Sequence, residues 1–167
     1  MANAQRPVVN QRLYFSRLHI DWLSQQLANE EIAKSVLEQS LGESAVFHLI
    51  KTYQAYLAEI ATAYTIPLAD FSDAKELLGA MEAAEQHSAE ALELHELESS
   101  ASWLKQLQSH YQAIGPINRV ISRPKNNQIV AFSSPESNST IELDTIKRYW
   151  QQLSAVIENQ RARLEEW

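Results

Sequence analysis

Two stretches of this chain repeat residues at intervals of four and three. Val46, Ile50, Tyr53, Leu57, Ile60 and Tyr64 form one series; Ile146, Trp150, Leu153, Ile157, Gln160, Leu164 and Trp167 form the other, with Gln160 its one polar member. A spacing that averages 3.5 residues follows one face of a helix and cannot follow one face of a strand, whose period is two. Sustained over several turns, it predicts helices packed at a shallow left-handed angle of roughly +20°.

Composition supports long helices. Among 167 residues there are only 3 glycines and 5 prolines, so the chain has few of the residues that make turns. With 45% hydrophobic residues it is not a disordered chain, and with no cysteine it is not a disulfide scaffold. A chain this long buries about 70% of the surface it exposes when unfolded, so one core without metal or crosslink suffices.

The remaining elements follow from the same spacing. A first helix is expected from about Val8 to Leu27, with Tyr14, Leu18 and Trp22 on one stripe and Leu13, Ile20, Leu23 and Leu27 on the next; so wide an apolar arc implies two packing neighbours. Asn29 is read as the N-cap of a short helix from Glu30 to Leu41, ended by Gly42 before the helix from Ser44 to Tyr64. Pro67 ends that one. Asp73 followed by Glu76 has the form of a capping box and predicts a long helix through about Leu97, with a seam of Leu77, Met81, Ala84, Ser88 and Ala91.

Serines 99, 100 and 102 offer N-caps for a helix carrying Trp103, Leu104, Leu107, Tyr111 and Ile114, which Gly115-Pro116 stops. Residues 117 to 132 surround a Pro-Lys-Asn-Asn centre and read as a small β-hairpin or ordered loop, and residues 133 to 140 as a mobile surface loop. The last helix should start near Asp144. The expected fold is therefore all-α: a single antiparallel four-helix-bundle-like domain over residues 1–167, with an extra short helix and an irregular insertion at about 115–143 before the last helix.

Charge divides along the chain. The total of −7 resolves into +2 over residues 1–28, −11 over 29–98 and +2 over 99–167. Glu82, Glu85, Glu90, Glu93, Glu96 and Glu98 follow one another without a Lys or Arg between them. Such a run is ordinarily a solvated face; its sharper reading is a docking surface for a basic protein partner or for the arginine-bearing regions of a second copy. Arg119, Arg123 and Lys125 form the best basic cluster, a candidate anion site. Three cations on an acidic protein are a weak nucleic-acid footprint. The first 28 residues lack a signal-type apolar core and no run approaches the roughly 18 residues of a membrane span, so the expectation is a cytoplasmic protein that does not enter a membrane.

Searches for chemistry return exclusions. No Glu-x-x-His exists, so the ferritin-like di-metal site is ruled out; His87 with Glu90 and His95 with Glu98 occur in reversed order, as a carboxylate-rich helix produces without function. There is no cysteine nucleophile, no Gly-x-Ser-x-Gly and no glycine-rich phosphate loop. Arg12 and His19 are spaced as in helical ribonucleases of the HEPN type, but in that family the pair sits in a late helix, and with eight arginines a chance match is common. No metal, cofactor or catalytic residue is assigned. A further alternative is a small-molecule pocket between helices lined by aromatics such as Tyr14, Trp22, Tyr53, Tyr56, Tyr111 and Trp150, although aromatics at helical spacing are usually core.

The stretch Asn10-Gln11-Arg12-Leu13-Tyr14-Phe15-Ser16-Arg17-Leu18 and the chain length resemble a family of small uncharacterised gammaproteobacterial proteins classed as a domain of unknown function. The resemblance implies a bacterial cytoplasmic protein and carries over no functional residue. The reading that remains is a non-enzymatic interaction module, a homo-oligomer or the binder of a basic protein. Its heptad seams and the terminal Trp167 are the candidate contact elements.

Overall fold

The computed structural model describes residues 3–29, 31–114 and 141–165. Among them are six helices and no strand: α1 (Arg6–Leu27), α2 (Lys34–Ala63), α3 (Ala74–Ala83), α4 (Ala89–Ser99), α5 (Trp103–Ile114) and α6 (Leu143–Glu165). The all-α expectation holds, and α1, α5 and α6 lie where periodicity put them. The expected hairpin and loop at 115–140, the cluster Arg119, Arg123 and Lys125, and Trp167 lie outside the described residues.

Cross-helix contacts set the directions. Asn3 Nδ2 donates to the Glu59 carbonyl at 2.8 Å, and His19 of α1 stacks on His48 of α2, so α1 and α2 are antiparallel. Arg6 pairs with Glu165 and the Trp150 indole donates to the Leu13 carbonyl at 3.2 Å, so α1 and α6 are antiparallel too. α2 and α6 run parallel, since Gly42 faces Ile146 near one end and Tyr56 bonds Gln160 near the other. The shorter α3, α4 and α5 pack around α2, with α5 also reaching α6.

Most of the described members of both seams lie in the core. Val46, Ile50, Tyr53, Leu57 and Ile60 of α2 are buried, as are Ile146, Leu153, Ile157 and Gln160 of α6. Each aliphatic side chain so buried contributes roughly 1.5–3 kcal/mol.

Two helix boundaries differ from expectation. The break at Gly42 does not occur: α2 is one 30-residue helix that begins at Lys34 after Ala33, without a side-chain cap, so Asn29 does not cap it. Gly42 instead provides a close approach. A Cβ there would stand 3.3 Å from Ile146 Cδ1 and 3.7 Å from the Ile141 carbonyl oxygen, where the chain enters α6.

Conversely, the helix expected from Asp73 to Leu97 is two. α3 ends at Ala83 with Ala84 as its C-cap, and Glu85 takes a left-handed φ of 56°. Gln86 N then donates to the Met81 carbonyl at 2.9 Å and Glu85 N to the Glu82 carbonyl at 3.0 Å, closing a Schellman turn without the usual glycine. Ser88 restarts the chain as N-cap of α4, accepting from Ala91 N at 3.1 Å. The same turn closes α2: Thr65 has φ 59° and Ile66 N donates to the Ala61 carbonyl at 2.8 Å. The cap at Asp73 forms as expected, accepting from Glu76 N at 2.9 Å, but the Glu76 carboxylate reaches back to Ser72 N at 2.7 Å rather than to Asp73.

Candidate functional site

Three places on this frame hold groups that could bind something: the acidic stretch from 82 to 98, the outer face of α1, and the cleft where α1 and α2 meet the α2–α3 connection.

The six glutamates do not share one surface. Glu82, Glu85 and Glu96 are exposed, whereas Glu90 and Glu98 are only 5% and 7% exposed. Glu98 turns inward at the C-terminal end of α4. It accepts from Tyr53 Oη at 2.6 Å and Gln108 Nε2 at 2.7 Å, and also from Ala74 N at 3.1 Å, the first amide of α3. A carboxyl group at a helix start satisfies an amide that has no partner within the helix. Glu90 accepts from Tyr64 Oη at 2.7 Å and Ser88 Oγ at 3.0 Å. Burial, together with Glu98, raises the Tyr53 pKa, and burial with the Glu90 bond raises that of Tyr64.

Glu93 is half-buried. Burial alone would raise its carboxyl pKa, but bonds from Arg163 and Gln160 outweigh that and hold it below the ordinary value. Gln160 bridges helices by accepting from Tyr56 Oη at 2.9 Å and donating to Glu93 Oε2 at 3.1 Å. The polar member of the α6 seam is thus satisfied on both sides of its amide.

A charge pair with no sequence signal fixes the packing of the three long helices. Arg161 grips Glu59 with two bonds, at 2.8 and 2.6 Å, and adds a third to Asn10 Oδ1 at 2.9 Å. The pair is largely removed from water. A buried ion pair tolerates no slippage, because a displaced partner leaves a desolvated charge alone.

On α1, the row Tyr14, Leu18 and Trp22 faces neither α2 nor α6; the three are 60%, 46% and 53% exposed. The expectation that the wide arc meets two neighbours holds for the adjacent stripe, where Ile20 and Leu23 are buried, and fails for this row. Ile32 and Val36, near the end of α1 that Trp22 occupies, are exposed as well. Beside the row, Arg17 pairs with Asp21 at 2.9 Å and lies 5.1 Å over the Trp150 ring.

The third place is a cleft of about 440 Å³, lined by Gln5, Val8 and Arg12 of the α1 region, Lys51, Gln54, Ala55 and Ala58 of α2, and residues 69–72. Elsewhere on the α1–α2 contact, the His19 and His48 rings stack 4.8 Å apart and neither Nδ1 has a hydrogen-bond partner. Burial, then the nearby His19 and Arg12 charges, lower the His48 pKa from its ordinary 6.5. Arg12 and His19, the ribonuclease-spaced pair, thus point to different surroundings: Arg12 lines the cleft and His19 packs on His48. Of the aromatics weighed for a pocket, Tyr53 and Tyr56 are core residues. Lys51 and His48 carried no signal in the sequence, because neither belongs to the seam of the helix they share.

Among the described residues, no three His, Asp or Glu side chains converge as a metal site would require, and no helix is long and apolar enough to cross a membrane. A protein-family model described as "Family of unknown function (DUF6586)" matches residues 1–167. Neither a curated protein nor a solved structure matches the chain.

Proposed function

The chain belongs to that family of unknown function, and from this premise we propose that it is a non-enzymatic interaction module of the bacterial cytoplasm that self-associates through the outer face of α1. One observation carries the reading: Tyr14, Leu18 and Trp22 stand one helical turn apart and exposed on a helix that buries Val9, Ser16, Ile20 and Leu23 on another face. Scattered exposed apolar residues need no explanation, but a row of large ones on one helix face is the kind of surface that partners cover. The heptad seams, first candidates for this role, are consumed by the core. In this reading the core is four-helix-bundle-like, with the α3–α4 pair in the place of the fourth helix.

A second copy fits the row because a helix face can pair with itself about a two-fold axis, the commonest symmetry of oligomers. Among the described residues, Arg6 is engaged with Glu165, Arg161 with Glu59 and Arg163 with Glu93. That leaves apolar contact, with the exposed Glu82, Glu85 and Glu96 as a separate acidic surface for a basic partner.

Light scattering over a concentration series tests the proposal. The native chain should dimerise, and Leu18→Glu together with Trp22→Glu should give a folded monomer. A native chain that stays monomeric at every concentration, or a double variant that still dimerises, overturns it.

A further inference from the structure

We propose that the cleft between α1, α2 and the α2–α3 connection binds a small organic anion, its oxyanion held by Arg12 and Lys51. The inference is independent of the α1 row and goes beyond the interaction reading. Both cations are half-buried, and among the described residues neither has a carboxylate within 4 Å. Lys75, Lys105, Lys147 and Arg148 also lack such a partner; what sets Arg12 and Lys51 apart is that both are half-buried and line the same cleft.

Lys51 Nζ donates to Gln54 Oε1 at 2.8 Å and lies 5.8 Å over the Phe47 ring, neutral partners that leave it without a carboxylate. The backbone amides next to the cleft are already committed, Ser72 N to Glu76 and Ala74 N to Glu98. Recognition of an anion therefore falls to side chains: the planar Arg12 fork and the Lys51 ammonium, with amide donors on Gln5 and Gln54.

The rest of the lining gives the ligand its shape. Val8, Ala55, Ala58 and Phe71 form an apolar wall, and small alanines on α2 make the room. About 440 Å³ lies within the range of small-molecule sites. Asp70 lines the cleft as well and disfavours a second anionic group beside it. The chemistry points to one anionic head group, carboxylate or phosphate, on a small apolar body.

Isothermal titration of the full-length chain decides, with butyrate as the carboxylate probe, phenyl phosphate as the phosphomonoester and sodium chloride at matched ionic strength as the control. One of the two organic anions should bind saturably, and the arm that responds identifies the head group. Lys51→Gln should weaken that binding about tenfold, as loss of one charged hydrogen bond does. Arg12→Gln should weaken it at least as much, while Arg148→Gln, an exposed arginine on α6, should leave it unchanged. Circular dichroism checks that each variant is folded; should Arg12→Gln not fold, Lys51→Gln and Lys51→Arg carry the test, the second retaining binding. Absence of saturable binding by both probes, or binding unaltered by Lys51→Gln, overturns the proposal.

Discussion

The α2 seam and the outer row of α1 are written in nearly the same way, as large apolar residues three or four positions apart, yet one is sealed in the core and the other faces water. Leu57 has no exposure and Leu18 has 46%. The seam is covered because α2 has neighbours around it: α1 and α6 as long helices, with α3, α4 and α5 besides. Among the described residues α1 packs chiefly against α2 and α6, and the row Tyr14, Leu18 and Trp22 stays exposed. Periodicity therefore identifies an apolar face without saying how many neighbours the chain can supply.

The largest effect that would sharpen this contrast is truncation. Leu57→Ala should destabilise the chain by roughly 2–5 kcal/mol, the cost of a cavity in a packed core. Leu18→Ala should change stability by less than about 0.5 kcal/mol, as at ordinary exposed positions. Urea unfolding of the two variants measures both. Equal losses would mean that the row is covered in the isolated chain and would remove the basis for a docking face.

Acidification should separate the two faces next. The folded-state pKa values of His48 and His110 are lowered from 6.5, chiefly by burial, so these imidazoles stay neutral in the native state while the unfolded chain takes up protons. Their contribution to stability is complete above pH 6.5 and is lost progressively below it, as the pH falls toward the folded-state values. The melting temperature should fall between pH 7 and 5.5, and His48→Gln should flatten that slope. No imidazole lies in the row Tyr14, Leu18 and Trp22, so self-association should persist over the same interval while the chain remains folded.

The smallest effect concerns the turn that divides the expected third helix. Glu85 holds a left-handed conformation that costs a non-glycine residue about 1 kcal/mol, so Glu85→Gly should stabilise the chain by up to that amount, read from the urea midpoint. A loss of stability instead would show that the turn is not held as described.

Several elements were legible because their causes are local. The seams of α2 and α6, the Asp73 cap and the Ser102 start of α5, where Ser102 Oγ accepts from Leu104 N at 3.1 Å, depend on residues within a few positions of one another. The break after α3 was not legible. A Schellman turn is ordinarily announced by glycine, and here Glu85 occupies that position. Gly42 misled in the opposite direction, since a glycine in a helix reads as a break while its role here is to admit Ile146.

The candidate sites divide similarly. The acidic run from Glu82 to Glu98 was visible, but its partition into exposed and buried members was not, because Tyr53, Tyr64 and Gln108 reach it from other parts of the chain. Arg12 drew notice through a chance spacing to His19, while its neighbour across the cleft, Lys51, drew none.

By itself the sequence determined the helical class, the seams and the absence of cysteine, disulfide and phosphate-loop chemistry, because periodicity and composition act over a turn or two. Only the tertiary structure decided which apolar faces remain uncovered, which carboxylates are buried against tyrosines, and which two cations share a cleft. Those outcomes depend on contacts between residues tens of positions apart, and such contacts are set by how helices pack rather than by how each one forms.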